Sequence, residues 1–306
     1  MGVLGLLALT ACAPGDLGGM QPAPPPAVAP VEPGPVEPSA QSKALSLYYA
    51  RLQQELITQG LLRQDGGGPD VPFTQRNLVE NFIRIALFDE YTTRGGRLVE
   101  RQTASRLRRW VEPVRFSVRF GVSVPKDIQV EDKKKITSYV SRLGRLTRHP
   151  VQMASTNANF TVLVVNEDER RGLGPLLREL VPGISSGSVR TVTNLPRSIL
   201  CLVLAFSEGD DFSYTNAVAI VRAEHPDLMR LSCIHEELAQ GMGLANDSPV
   251  ARPSVFNDDE EFGLLTRHDE LLLTMLYDPR MRIGMTAEQA SPIADVIAAE
   301  LLGGGS

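Results

Sequence analysis

The chain has no surplus of positive charge: 31 Lys and Arg stand against 36 Asp and Glu, a formal net of -5. Nucleic acid is held by basic surface, so nothing in the composition calls for that partner. The phosphate cradles G-x-x-x-x-G-K-S/T and G-x-G-x-x-G are absent, which removes the common nucleotide-binding arrangements. No internal repeat is present, which excludes a repeat architecture. Beyond the first residues, no stretch is long and apolar enough to cross a membrane. Cysteine is limited to Cys12, Cys201 and Cys233. What remains is a folded-protein composition, 42% hydrophobic and 22% charged over 306 residues. That length suits one large domain, or a domain with a smaller lobe.

The chain starts MGVLGLLALTACAPG. Its apolar run is too short to span a bilayer and closes on Leu9-Thr10-Ala11-Cys12. This order resembles a bacterial lipoprotein cleavage site, although Lys and Arg are missing ahead of it. On this reading residues 1–12 are a signal peptide, and Cys12 is lipid-modified and anchors a periplasmic protein to the membrane. Ala13, not aspartate, follows the cysteine, which points to the outer membrane. Residues 13–41 are rich in Pro, Gly and Ala without apolar periodicity, the composition of a disordered tether. Cys201 and Cys233 are then left to form one disulfide, worth about 3–4 kcal/mol in the chain-entropy model. Two buried free thiols are the alternative.

Helical spacing of Leu45, Tyr49, Leu52 and Leu56 predicts a first helix over residues 42–62. A second runs over residues 75–90, with Thr74 as a candidate cap and Leu78, Phe82 and Ile85 inward. The arginines between residues 94 and 109 read as a solvated helix face. Together residues 42–107 form a small helical lobe. A mixed α/β domain follows over residues 108–285, then a C-terminal helix and flexible tail over 286–306. Strands are expected at 114–121, 159–165, 198–206 and 214–223, and helices at 130–146 and 170–180. The continuous apolar run SILCLVLAF suits a central strand.

Residues 232–248 read SCIHEELAQGMGLANDS. They belong to a helix that opens at Pro226-Asp227 and is apolar on two sides, hence buried. Buried Glu236, Glu237 and Gln240 need partners. The spacing resembles the metzincin pattern H-E-x-x-H-x-x-G-x-x-H. Glu236, Glu237, Gln240, Gly243 and Asn246 fall on its first ligand, base, second ligand, glycine and third ligand. Ser254-Val255-Phe256 stands where a Met-turn belongs, and LTRHDELLLTMLY (residues 265–277) resembles the closing helix. His235 is read as a core histidine, and His268 as a surface one. From about Arg108 onward the chain also resembles the bacterial family of unknown function DUF2927, which implies an exported protein and hands over no activity.

The fold expected is therefore mixed, α+β or α/β, with a metzincin-like sheet and a central buried helix. Zinc favours imidazole and thiolate, so one carboxylate and two amides imply no tightly held catalytic zinc and no resident cofactor. One reading is a pseudoenzyme whose metal gave way to a polar network of Glu236, Gln240, Asn246 and Asp247, its cleft kept for an envelope protein or peptide. A second is a calcium site using Glu236, Asp247, Asn257, Asp258 and Asp259. A third is a metal-dependent hydrolase, a peptidase that keeps a zinc ion, with Glu237 as general base and an imidazole supplied by His235 or His268.

Overall fold

The computed structural model describes residues 37–94, 97–209, 211–257 and 259–303. The proposed signal peptide, Cys12, the tether up to residue 36 and Asp258 lie outside them. Helix α1 (Ala40–Thr58) starts where the Ser39 hydroxyl accepts from Ser42 N at 3.2 Å. It docks through Tyr49, fully buried, whose hydroxyl donates to Arg197 O at 2.9 Å. Helix α2 (Gln75–Ala86) is opened by the Thr74 capping box with Asn77. Its Leu78, Phe82 and Ile85 are buried in the same core as the sheet.

The sequence reading fails next to α2. The helix stops at Ala86, and strands β1 (Phe88–Arg94) and β2 (Arg97–Ala104) form an antiparallel hairpin. Tyr91, Thr92 and Thr93 opposite Leu98, Val99 and Glu100 carry aromatic and β-branched residues that favour a strand. The interspersed arginines had suggested a helix face instead.

The remaining elements build one layered α/β body. They are β3 (Arg109–Trp110), β4 (Val114–Phe120), α3 (Lys126–Thr147), β5 (Val151–Met153), β6 (Phe160–Val165), α4 (Glu167–Arg171), α5 (Gly174–Leu180), α6 (Ser186–Thr193), β7 (Cys201–Ser207), β8 (Ser213–Arg222), α7 (Asp227–Gln240), α8 (Arg267–Leu276) and α9 (Ala287–Gly303). The sheet runs β3-β8-β6-β4-β5, all parallel, and β7 pairs antiparallel with β8. β6 is buried at every position, as a parallel strand covered on both faces should be.

β7 is an edge strand, not the central strand that its apolar run suggested. Among the described residues β8 is its only strand partner. Alternation explains the run. Leu202, Leu204 and Phe206 pack with Leu177, Val189 and Val192 of α5 and α6. Cys201, Val203 and Ala205 face the larger core that holds α7. Both faces are covered, and among the described residues no second strand pairs with its outer edge. The disulfide Cys201–Cys233 is present and joins β7 to α7.

Candidate functional site

α7 crosses the body as a buried helix; ten of its residues, Glu237 and Gln240 among them, are buried. It carries no side-chain cap, and Asp227 sits in its first turn, where negative charge suits the helix dipole. His235 turns away from the cleft. Its ring stacks on Tyr139 at 4.1 Å and 8°, and its Nδ1 accepts from Leu265 N at 3.1 Å. Burial, with Arg142 adding positive charge, pushes its pKa down to about 3. It is a neutral core ring, as its place on the helix suggested.

The chain then turns sharply at Gly243, whose φ is +124°. A Cβ there would lie 2.4 Å from Arg108 O. Only glycine fits both the backbone angle and the close approach. Trp110 Nε1 donates to Gly241 O at 2.8 Å, and the Tyr277 hydroxyl donates to Met242 O at 2.9 Å. The turn is thereby tied to β3 and to the residue that ends α8.

Residues 254–256 are pinned from below. Asp269 accepts from Ser254 Oγ at 2.6 Å, Val255 N at 3.0 Å, and both Thr266 N and Oγ1 at 2.9 Å. The same Thr266 and Asp269 form the capping box of α8. Phe256 is fully buried beneath. His268 contradicts its surface assignment. It is fully buried, its Nε2 lies 3.1 Å from Asn81 Nδ2, and its ring meets Phe73 edge-on at 5.0 Å.

A cleft of about 490 Å³ lies between β7, α7 and the loops after it. Glu236, Glu237, Gln240, Asp247 and Asn257 all line it. Gln240 Nε2 donates to Asp247 Oδ1 at 2.8 Å, and Glu236 Oε2 lies 3.9 Å from Cys201 Sγ. Asn246 does not join them. It is buried, and its amide donates to Arg84 O at 2.8 Å while its own N–H donates to Ile85 O. The third ligand position of the sequence pattern is thus spent on holding the end of α2, and Asp247 faces the cleft instead. Asn257 donates to Ala251 O and accepts from Asp259 N, and Asp259 accepts from Glu261 N. Those bonds shape the loop's own backbone.

One sulfur and two carboxylates, Cys201, Glu236 and Glu237, place ligand atoms within 4.8 Å of one another. The sulfur is committed to the disulfide and offers no thiolate. Among the described residues that line the cleft there is no histidine and no free thiol, so this donor set does not fit a catalytic zinc.

Asp89, Arg108, Ser188 and Glu260 also line the cleft, and sequence reasoning missed them. Asp89 and Arg108 pair at 2.7 Å at the base of the β1–β2 hairpin, whose strand β2 packs on α6. No local pattern marks residues that meet only through the fold. Gly183-Ile184-Ser185-Ser186-Gly187 has the letters of a G-x-S-x-G nucleophile motif. Here Ser185 caps α6, accepting from Ser188 N at 2.9 Å, in place of the strand-to-helix turn that motif needs.

The model of the family described as "Protein of unknown function (DUF2927)" matches residues 75–295. The chain belongs to this family. The match takes in α2, the whole sheet, α7 and the pinned turn, so the cleft lies inside the DUF2927 region. No curated protein and no solved structure matches the chain.

Proposed function

We propose that this DUF2927 chain is a non-catalytic binding protein whose cleft, on a metallopeptidase-like scaffold, takes an extended peptide along β7. The observation that carries the reading is the lining itself. Nine consecutive residues, 198–206, border the cleft. Side chains alternate across a strand, so consecutive residues share one wall only where the cleft follows the strand's edge. An open edge offers unpaired N–H and C=O groups, the means by which sheets add an extended peptide as a further strand.

The metzincin likeness rests on the buried helix, the Gly243 turn, the pinned residues 254–256 and the closing helix α8. The chemistry has been exchanged: Glu237 lines the cleft as a base would, but no donor set beside it suits a zinc ion. A random decapeptide pool incubated with the full chain tests this. Peptides should be retained and recovered intact by mass spectrometry. Cleavage that is abolished by Glu237→Gln would overturn the reading in favour of a hydrolase.

The chain's setting belongs to the same proposal. Cys12 anchors it to the membrane as a periplasmic lipoprotein, outer membrane in preference to inner. In support, the Cys201–Cys233 disulfide suits an oxidising compartment. Among the described residues no helix is long and apolar enough to cross a membrane.

A further inference from the structure

We propose that Cys201–Cys233 is a reversible redox centre, opened by a dithiol reductant that enters through the cleft, with Glu236 and His225 holding the reduced thiols. This goes beyond the peptide groove and does not depend on it. The two sulfurs sit differently. Cys201 borders the cleft, whereas Cys233 does not and is 2% exposed against 7%. A thiolate arriving in the cleft therefore meets Cys201 first, and Cys233 is the sulfur that leaves.

The surroundings of both sulfurs suit thiols. A disulfide sulfur carries no proton, so Glu236 Oε2, 3.9 Å from Cys201 Sγ, is an acceptor set against an acceptor. His225 Nδ1 lies 3.6 Å from Cys233 Sγ, and the ring is buried. Among the described residues its Nε2 has no hydrogen-bond partner. A buried polar atom left unmet calls for a reason, redox chemistry among them. Reduction supplies the missing protons: Cys201 S–H donates to Glu236 Oε2, and Cys233 S–H donates to His225 Nδ1. The steps balance with the reductant's two thiols. Its first thiol loses a proton and attacks Cys201 Sγ, and the electron pair of the S–S bond leaves on Cys233 Sγ, which takes up a proton. The second thiol loses its proton and attacks the reductant's own sulfur in the mixed disulfide. Cys201 leaves as a thiolate and takes up the other proton. The reductant ends as a disulfide and the chain as a dithiol. Opening the bond cuts the covalent tie between β7 and α7, so the redox state sets how firmly this wall of the cleft is held.

The test is equilibration of the full chain in mixtures of reduced and oxidised dithiothreitol without denaturant, with free thiols alkylated and located by mass spectrometry. Cys201 and Cys233 should open and close together while the chain still shows a cooperative melting curve. Glu236→Ala and His225→Leu should each lower the dithiol-to-disulfide ratio by about fivefold, the scale of one hydrogen bond. Glu236 stands at the cleft wall, so its variant keeps the test if the buried His225→Leu does not fold. With oxidised glutathione, Cys233→Ala should take an adduct at Cys201 far faster than Cys201→Ala takes one at Cys233. A bond that opens only at urea concentrations that unfold the chain overturns the proposal. So do a ratio that neither variant moves and an adduct that forms faster at Cys233.

Discussion

At Gly243 two independent constraints meet: a positive φ and a backbone carbonyl where a side chain would have to go. Gly243→Ala should cost roughly 2–4 kcal/mol, the sum of a strained φ and an overpacked contact, read as a lower urea midpoint at unchanged m-value. Asp269 is the second such residue. It is fully buried and accepts four hydrogen bonds. Asp269→Ala leaves those donors unmet and should destabilise by roughly 3–5 kcal/mol. Two buried histidines, His225 and His235, lower stability as the pH falls. His225 and His235 are both pushed down to about 3, chiefly by burial and then by neighbouring arginines. An unfolded histidine titrates near 6.5. Between those values the unfolded chain binds protons that the folded chain refuses. The histidines' contribution is therefore complete above about pH 6.5 and falls toward pH 3, by up to about 1.4 kcal/mol per pH unit for each ring. Glu224, raised by burial, works in the opposite sense in the window just above its ordinary value. His235→Asn keeps an acceptor for Leu265 N, and should remove about half of the histidine slope in denaturation curves between pH 7 and pH 5.

The elements show which parts of the fold were written locally and which were not. α2 was legible because its cap and its apolar face lie within twelve residues. β6 and α7 were legible because their buried faces dominate their composition. β7 was legible as a strand, but its edge position was not, since two covered faces give the same letters as a central strand. The hairpin was misread because Arg94, Arg97 and Arg101 fall at the three- and four-residue spacing of a helix face. In the site, Gln240 and Asp247 were found together, but Asn246 was assigned to the cleft by spacing alone. Its partner, Arg84 O, is more than a hundred residues away and leaves no trace near position 246. The disulfide couples two of these elements. Its sequence separation of 32 corresponds to about 3–4 kcal/mol of chain-entropy stabilisation. The Cys201→Ala/Cys233→Ala double variant should lose about that much. It should also show faster amide exchange in β7 than in β6, because the edge strand has lost its tie to α7.

On the scale of the whole molecule, the DUF2927 body carries its cleft along β7, whose only strand partner among the described residues is β8. On the proposed anchor, Cys12→Ser should move the protein from the membrane fraction to the soluble fraction, read by fractionation of the cells. The cleft's role is tested most directly by hydrogen exchange of the full chain, with and without a peptide recovered from the random pool. Slowed exchange should concentrate at the amides of residues 201–207, with smaller changes at the end of α7. Unchanged β7 amides alongside protection on a different surface would contradict peptide addition at this edge.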